Sequence, residues 1–120
     1  MELDCELVGR TALIRCRGAR LDAGMAVQFK ERFREMIGRG ADRIILDLCE
    51  VQFLDSSGLG AIVAVYKALD PGQKFDIAGL TPPVERVFRL TRMDSVFSIF
   101  ENAAQAMGND GGSTAMGSAG

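Results

Sequence analysis

The nearly unbroken apolar run from Arg43 to Leu48 constrains the fold more than any other part of this chain. A strand with one face in water alternates apolar and polar residues, whereas Ile44, Ile45 and Leu46 follow one another directly. Such a run is typical of a central strand that is covered on both faces. We therefore predict a sheet that is buried at its middle, in a chain whose 120 residues suffice for one domain with one core.

The segments around this strand alternate between the periodicities of strands and helices. Period-two patterns predict strands at 2–8, 11–17, 74–79 and, at the edge of the sheet, 96–100. Helical spacing predicts helices at 23–38, 58–69, 81–91 and 101–107. The predicted order is β-β-α-β-α-β-α, with one further strand and helix at the end. This order indicates the α/β class, with a mixed sheet of four to five strands and helices packed mainly on one side.

The first two predicted strands are separated by two residues, which suits a β-hairpin. Pairing Val8 with Thr11 places Cys5 opposite Ile14, and it places Cys16 on the same face one pair further along. We therefore predict that these two cysteines are core residues and do not form a disulfide.

Turn formers, capping residues and apolar positions give the local expectations. In chain order, they are a loop at 18–21, an N-cap at Asp22, a helix end at Gly38 and Gly40, core positions at Val51 and Phe53, an N-cap at Thr81 and a core position at Leu90.

The composition disfavours several classes of function. The net charge is −2, so the chain lacks the basic excess of nucleic-acid-binding proteins. No apolar stretch approaches the ~20 residues of a membrane-spanning helix, so membrane insertion is not expected. Three cysteines without C-x-x-C spacing, in a chain that starts without a signal peptide, indicate a reduced cytoplasmic protein. Cys49 is interpreted as core or loop filler.

The absence of histidine disfavours an enzyme. Neither a Ser-His-Asp nor a Cys-His nucleophile can be assembled. The glycine patterns of phosphate-binding loops and of the hydrolase nucleophile elbow are also missing. We therefore expect a protein without catalysis of its own and without a cofactor.

The stretch Asp55-Ser56-Ser57-Gly58-Leu59-Gly60 connects a predicted strand to a predicted helix. One interpretation is that either serine only caps the helix, while Asp55 ends the strand. A second is that the corner presents a serine to another protein, beside the positive end of a helix. Glycine weakens a helix by ~1 kcal/mol relative to alanine, so two glycines here suggest that another backbone or a bulky group approaches closely.

The same helix carries a stripe of small residues at Gly58, Ala61, Val65 and Ala68. The stripe is either a second packing surface within the domain or a smooth surface on which a partner lies, and the spacing leaves both open.

A magnesium site is the alternative use of the acidic residues near the corner, which are Asp22, Asp47, Glu50 and Asp55. Roles as caps, strand ends and solvated loop residues are favoured, so no metal is expected.

Three segments together resemble one family. Ile45-Leu46-Asp47-Leu48, followed by Val51 to Gly60, closely resembles STAS domains, specifically bacterial anti-sigma factor antagonists. Leu21-Asp22 and the segment from Leu80 to Phe88 resemble two further family segments. The resemblance spans residues 3–106. It implies a single STAS domain at 1–107, followed by a Gly/Ser/Ala-rich flexible tail at 108–120.

The resemblance also implies a switch. Ser56 would be phosphorylated by a GHKL-type anti-sigma factor that is also a serine kinase, and a PP2C-type phosphatase would remove the phosphate. The unphosphorylated form would bind the anti-sigma factor and free the sigma factor. The stripe and the resemblance together give the expected partner contacts, which are Asp22, Asp55, Ser57, Gly58, Gly60, Ala61, Val65 and Ala68.

Arg20 departs from the family pattern, in which an acidic residue is usual, so the identity of the partner can differ. The alternative function is a STAS scaffold subunit of a stress-signalling complex or of a lipid-transport system. A weak homodimer is a further assembly to consider.

Overall fold

The computed structural model describes residues 2–37 and 40–108. The strands are β1 (Glu2–Val8), β2 (Thr11–Arg17), β3 (Arg20–Leu21), β4 (Arg43–Asp47), β5 (Phe53–Leu54), β6 (Lys74–Ala78) and β7 (Ser98–Phe100). The helices are α1 (Ala23–Ile37), α2 (Ser56–Lys67), α3 (Pro82–Leu90) and α4 (Ala103–Gly108), and a short 3-10 helix (Met93–Ser95) precedes β7. Within this part of the chain, no helix is long and apolar enough to cross a membrane.

The main sheet is mixed and five-stranded, in the order β1-β2-β4-β6-β7. The β1–β2 pair is antiparallel, and the other pairs in this sheet are parallel. The hairpin register is as predicted, since Val8 pairs with Thr11 and Cys5 with Ile14. Cys16 is buried, Cys5 is partly buried, and both thiols are free. The predicted edge strand is also confirmed, because β7 ends the sheet.

The central strand β4 is buried over its whole length, as its apolar run predicts. Ile44 and Leu46 face the main core, into which α1, α2 and α3 pack. Ile45 faces the other side, where it packs with Ala78 and with Ala106 of α4. Three helices therefore cover one face and the short C-terminal helix covers part of the other, which confirms a sheet with helices mainly on one side.

The segment 18–21 is not simply the loop that was predicted, because Arg20 and Leu21 form β3 and pair in parallel with β5. Phe53 was expected in the core, yet it is 40% exposed. The expectation was wrong because Val51, although buried, lies before the strand. The alternation therefore begins at Phe53, and Leu54 is the buried residue of β5.

Two expectations for α3 also need correction. Leu90 was placed in the core but is 77% exposed, because two residues after buried Phe88 correspond to about 200° around a helix. Thr81 occupies the N-cap position without a side-chain cap, since its hydroxyl donates a 2.6 Å hydrogen bond to the carbonyl of Val51. The helix end predicted at Gly38 lies outside the described residues. So does the tail from 109 onwards, whereas Gly108 belongs to α4.

Candidate functional site

The serine corner begins α2, and Asp55 caps this helix. The Asp55 carboxylate accepts a 2.9 Å hydrogen bond from the backbone N–H of Gly58. The cap is therefore Asp55. The first interpretation, in which one of the serines caps the helix, is wrong. Ser56 and Ser57 are the first two helical residues, and both are exposed. Within the described part of the chain, neither hydroxyl has a hydrogen-bond partner.

The close approach predicted for Gly58 comes from the chain itself. A Cβ on Gly58 would lie 2.0 Å from the carbonyl oxygen of Leu21 and 2.8 Å from Cδ1 of Leu54. The backbone of β3 thus lies directly against the first turn of α2. Gly60 differs, because it is exposed and, apart from its chain neighbours and the backbone of its own helix, no atom of the described residues lies within 4 Å of the corresponding Cβ position.

Asp22 lies just after β3 and uses both of its carboxylate oxygens within the chain. Oδ1 accepts a 3.1 Å hydrogen bond from the backbone N–H of Gly24, consistent with the predicted N-cap. Oδ2 accepts a 3.2 Å hydrogen bond from Nε of Arg20. The Arg20 guanidinium carbon in turn lies 4.2 Å from the centre of the Phe53 ring. We call Arg20, Asp22 and Phe53 the rim cluster.

The small-residue stripe is mostly interior. Gly58, Ala61 and Val65 are buried, and α1 packs against α2. The structure therefore supports the packing alternative for these three residues, and their burial removes them from the surface available to a partner. Ala68 lies at the far end of the stripe and is exposed.

The four carboxylates considered for magnesium have separate partners. Asp47 is buried and pairs with Arg15 at 3.0 Å, and Glu50 pairs with Arg17 at 3.0 Å. Asp22 and Asp55 cap their respective helices. Among residues 2–37 and 40–108, no group of three acidic, cysteine or histidine side chains is placed to hold a metal ion.

Cys49 is an exposed thiol on the turn after β4. Its pKa is raised, first because of partial burial and then because of the negative charge of Asp47 and a hydrogen bond to that side chain. Since the thiolate is the nucleophile, the raised pKa makes Cys49 a poor candidate for a reactive cysteine.

The expected partner-contact residues that keep exposed or half-exposed surface are Asp22, Asp55, Ser57, Gly60 and Ala68, beside the proposed acceptor Ser56. The sequence did not reveal the contact between Arg20 and Phe53. Arg20 was noticed as unusual, but its neighbour was assigned to the core. The missing information was that Arg20 and Phe53 pair with each other across two short strands.

Comparison with known proteins agrees with the fold. The sequence matches the model of the family described as STAS domain over residues 2–106. The anti-sigma F factor antagonist of Paenibacillus polymyxa is 33% identical over 70 residues, which cover 58% of this chain and 60% of that relative. The anti-sigma-B factor antagonist of Listeria monocytogenes is 29% identical over 91 residues, which cover 75% of this chain and 80% of that relative. Among solved structures, the anti-sigma factor antagonist SpoIIAA in its unphosphorylated form is 25% identical, with a TM-score of 0.71, and the match covers 88% of this chain and 93% of that one.

Proposed function

This chain belongs to the STAS domain family, and we propose that it is an anti-sigma factor antagonist controlled by phosphorylation of Ser56. In this proposal the unphosphorylated form binds an anti-sigma factor that is also a GHKL-type serine kinase, and the sigma factor is released. Phosphorylation of Ser56 abolishes that binding, and a PP2C-type phosphatase restores it in the cytoplasm. The chain acts by binding alone.

The observation that carries the proposal is the state of Ser56. Its side chain is exposed at the first position of α2, and because Asp55 supplies the cap, its hydroxyl is not used to begin the helix. The N-terminus of a helix favours a negative charge by ~0.3–2 kcal/mol, so the folded domain tolerates a phosphate there. Modification of Ser56 therefore requires no large change of fold.

The same phosphate acts differently at an interface. It adds about −1.5 to −2 charges at one point of a chain whose net charge is −2. A buried charge without a partner costs about 3 kcal/mol or more, and at ~1.4 kcal/mol per tenfold this corresponds to about a 100-fold rise in Kd. The proposed switch therefore operates by local charge and bulk, without a conformational change.

Gly60 supports a partner surface beside Ser56. Gly58 is required by the contact with Leu21, but nothing in the described chain explains a glycine at position 60. A glycine inside a helix costs ~1 kcal/mol relative to alanine. Close approach of a partner to this turn accounts for Gly60, and the neighbouring half-exposed Asp55 and exposed Ser57 belong to the same proposed surface.

The test is to incubate the purified chain with candidate GHKL-type kinases and ATP, and to map the modified residue by mass spectrometry. Ser57→Ala is the matched control, because Ser57 is the neighbouring exposed hydroxyl. We expect Ser56→Ala to abolish phosphorylation and Ser57→Ala to retain it.

Binding is then measured by calorimetry with the kinase that modifies the chain. Phosphorylated protein and Ser56→Asp should bind at least about 100-fold more weakly than unmodified protein, whereas Ser56→Ala should bind almost normally. Equal Kd values for the unmodified and phosphorylated forms would contradict the switch. That outcome would favour the STAS scaffold alternative.

A further inference from the structure

The guanidinium of Arg20 is held from two sides within the rim cluster. The ring of Phe53 lies under it at 4.2 Å, and the carboxylate of Asp22 accepts a hydrogen bond from its Nε at 3.2 Å. The backbone pairing of β3 with β5 fixes Arg20 opposite Phe53. A long side chain that is ordinarily mobile at a surface is therefore restrained before any partner arrives.

The restraint leaves most of the donors of Arg20 available. A guanidinium carries five N–H donors, and Asp22 engages the one on Nε. In residues 2–37 and 40–108, the two terminal nitrogens of Arg20 have no hydrogen-bond partner. The side chain of Arg20 is 61% exposed. Two parallel N–H groups in this arrangement match the two oxygens of a carboxylate.

Asp22 offers the opposite case, although it was expected to contact the partner. Its two oxygens are already engaged by Gly24 and Arg20, and its side chain is 26% exposed. The rim cluster therefore presents hydrogen-bond donors, whereas a free Asp22 would have presented acceptors. A partner that complements this cluster supplies an acidic group.

The position of the cluster relates it to the proposed switch. β5 ends at Leu54, two residues before Ser56, and β3 lies against the first turn of α2 at Gly58. Arg20 therefore lies in the strand that packs against the first turn of α2, the turn that begins with Ser56.

We infer that Arg20, stacked on Phe53, binds a carboxylate of the anti-sigma factor and determines which anti-sigma factor this chain recognises. The inference rests on the proposed function and specifies the chemistry of its partner. Because stacking and the Asp22 contact restrain the side chain in advance, less conformational entropy is lost when the carboxylate binds. A charge-assisted bidentate hydrogen bond of this kind corresponds to about 10- to 100-fold in affinity.

The test uses the GHKL-type anti-sigma factor that binds the wild-type chain, with calorimetry at two salt concentrations. Arg20→Met keeps an apolar stem over Phe53 and removes the charge. We expect it to raise Kd by about 10- to 100-fold and to make Kd less dependent on salt. Arg20→Lys keeps the charge but loses the planar fork, so it should recover only part of the affinity. Phe53→Leu should raise Kd by a few-fold, because it removes only the stacking surface.

Arg34→Met is the matched control. It removes an exposed arginine near the other end of α1, about 17 Å along the helix from Ala23, and should leave Kd unchanged. Equal Kd values for wild type, Arg20→Met and Arg34→Met would overturn the inference and leave the proposed function standing. Failure of every candidate anti-sigma factor to bind wild type would contradict the proposed function, and the inference with it. A third outcome is that Arg20→Met changes the melting temperature of the phosphorylated form only and leaves Kd unchanged. Arg20 would then contact the phosphate on Ser56, and the inference would be overturned.

Discussion

Two regions of this domain combine an arginine, an aspartate and a phenylalanine, and they differ in burial. In the rim cluster, Arg20 stacks on Phe53 with its side chain 61% exposed. Under α4, Arg43 pairs with Asp76 at 2.8 Å, with the two side chains 6% and 10% exposed. The same chemical groups are thus placed once at the surface and once inside the domain.

The buried group uses its guanidinium more completely than the exposed one. Nε and one terminal nitrogen of Arg43 bond to Asp76, and the other terminal nitrogen donates to the carbonyl of Ala106 at 3.0 Å. The ring of Phe100 lies 5.9 Å away. This group joins β4, β6 and α4, whereas Arg20 keeps its terminal donors. Burial makes the group of Arg43, Asp76 and Phe100 a structural contact, whereas exposure leaves the rim cluster available for recognition.

The largest expected difference is in folding stability. Arg43→Met leaves the buried carboxylate of Asp76 unpaired, so we expect the free energy of unfolding to fall by about 3–5 kcal/mol. Arg20→Met removes an exposed pair and should change it by less than about 1 kcal/mol. Urea unfolding of both variants at the same pH and salt measures the contrast.

A double variant separates the unpaired charge from lost packing. Arg43→Met combined with Asp76→Leu removes both charges, so it should recover most of the stability that Arg43→Met loses. If the double variant is as unstable as Arg43→Met, packing and not charge explains the loss. If Arg20→Met is destabilised as strongly as Arg43→Met, the rim cluster is a structural contact like the buried group.

The two regions also differ in how far the sequence predicted them. The sequence predicted the burial of β4, on which Arg43 lies, because this strand is a continuous apolar run. It also predicted the register of the hairpin, which follows from a two-residue connection. The sequence did not predict the rim cluster, because β3 and β5 are two residues long and too short to show a period. Phe53 was therefore assigned to the core, and its contact with Arg20 could not be anticipated.

The serine corner lies between these extremes. Two glycines near Ser56 predicted a close approach, and this is confirmed for Gly58. The sequence could not identify Leu21 as the approaching group, because that contact depends on how β3 docks against α2. The sequence also could not decide whether the small-residue stripe is buried or faces a partner, because α2 is apolar on the stripe and on its other face. The packing of α1 against α2 answers that question.

The position of the rim cluster depends on the contact between β3 and α2. Substitution of Gly58, compared with substitution of Gly60, tests this contact. Gly58→Ala forces a Cβ to within 2.0 Å of the Leu21 carbonyl oxygen, so the backbone must shift. We expect a loss of about 1–3 kcal/mol in the free energy of unfolding, as for other overpacked sites. Gly60→Ala meets open space and should gain about 0.5–1 kcal/mol from its higher helix propensity.

Binding distinguishes the two glycine variants further. Although Gly60→Ala is expected to stabilise the fold, it should weaken binding to the anti-sigma factor if a partner approaches this turn as proposed. Stabilisation with unchanged Kd would remove Gly60 from the proposed partner surface. A Gly58→Ala protein as stable as wild type would show that β3 moves easily, which would undercut the fixed position of Arg20.

The pair between Arg10 and Asp42 extends the comparison to a case in which both side chains are exposed, by 72% and 62%. The hydrogen bond from Arg10 lowers the pKa of the Asp42 carboxyl below its ordinary value of 3.8. Because the pKa is depressed in the folded state, the pair contributes stability above the unfolded pKa, and this contribution is lost as pH falls through the folded value. NMR titration of the Asp42 carboxyl should therefore show a higher pKa in Arg10→Gln than in wild type.

Removal of the pair of Arg10 and Asp42 should change the free energy of unfolding less than removal of Arg43 does. Wild type and Arg10→Gln should differ only slightly in free energy of unfolding at neutral pH, since solvent screens the exposed charges. That small difference should disappear as pH falls through the lowered pKa of Asp42, because a protonated carboxyl no longer attracts the guanidinium. A large difference at neutral pH would break the comparison, because an exposed pair would then stabilise the fold as strongly as the buried pair of Arg43 and Asp76.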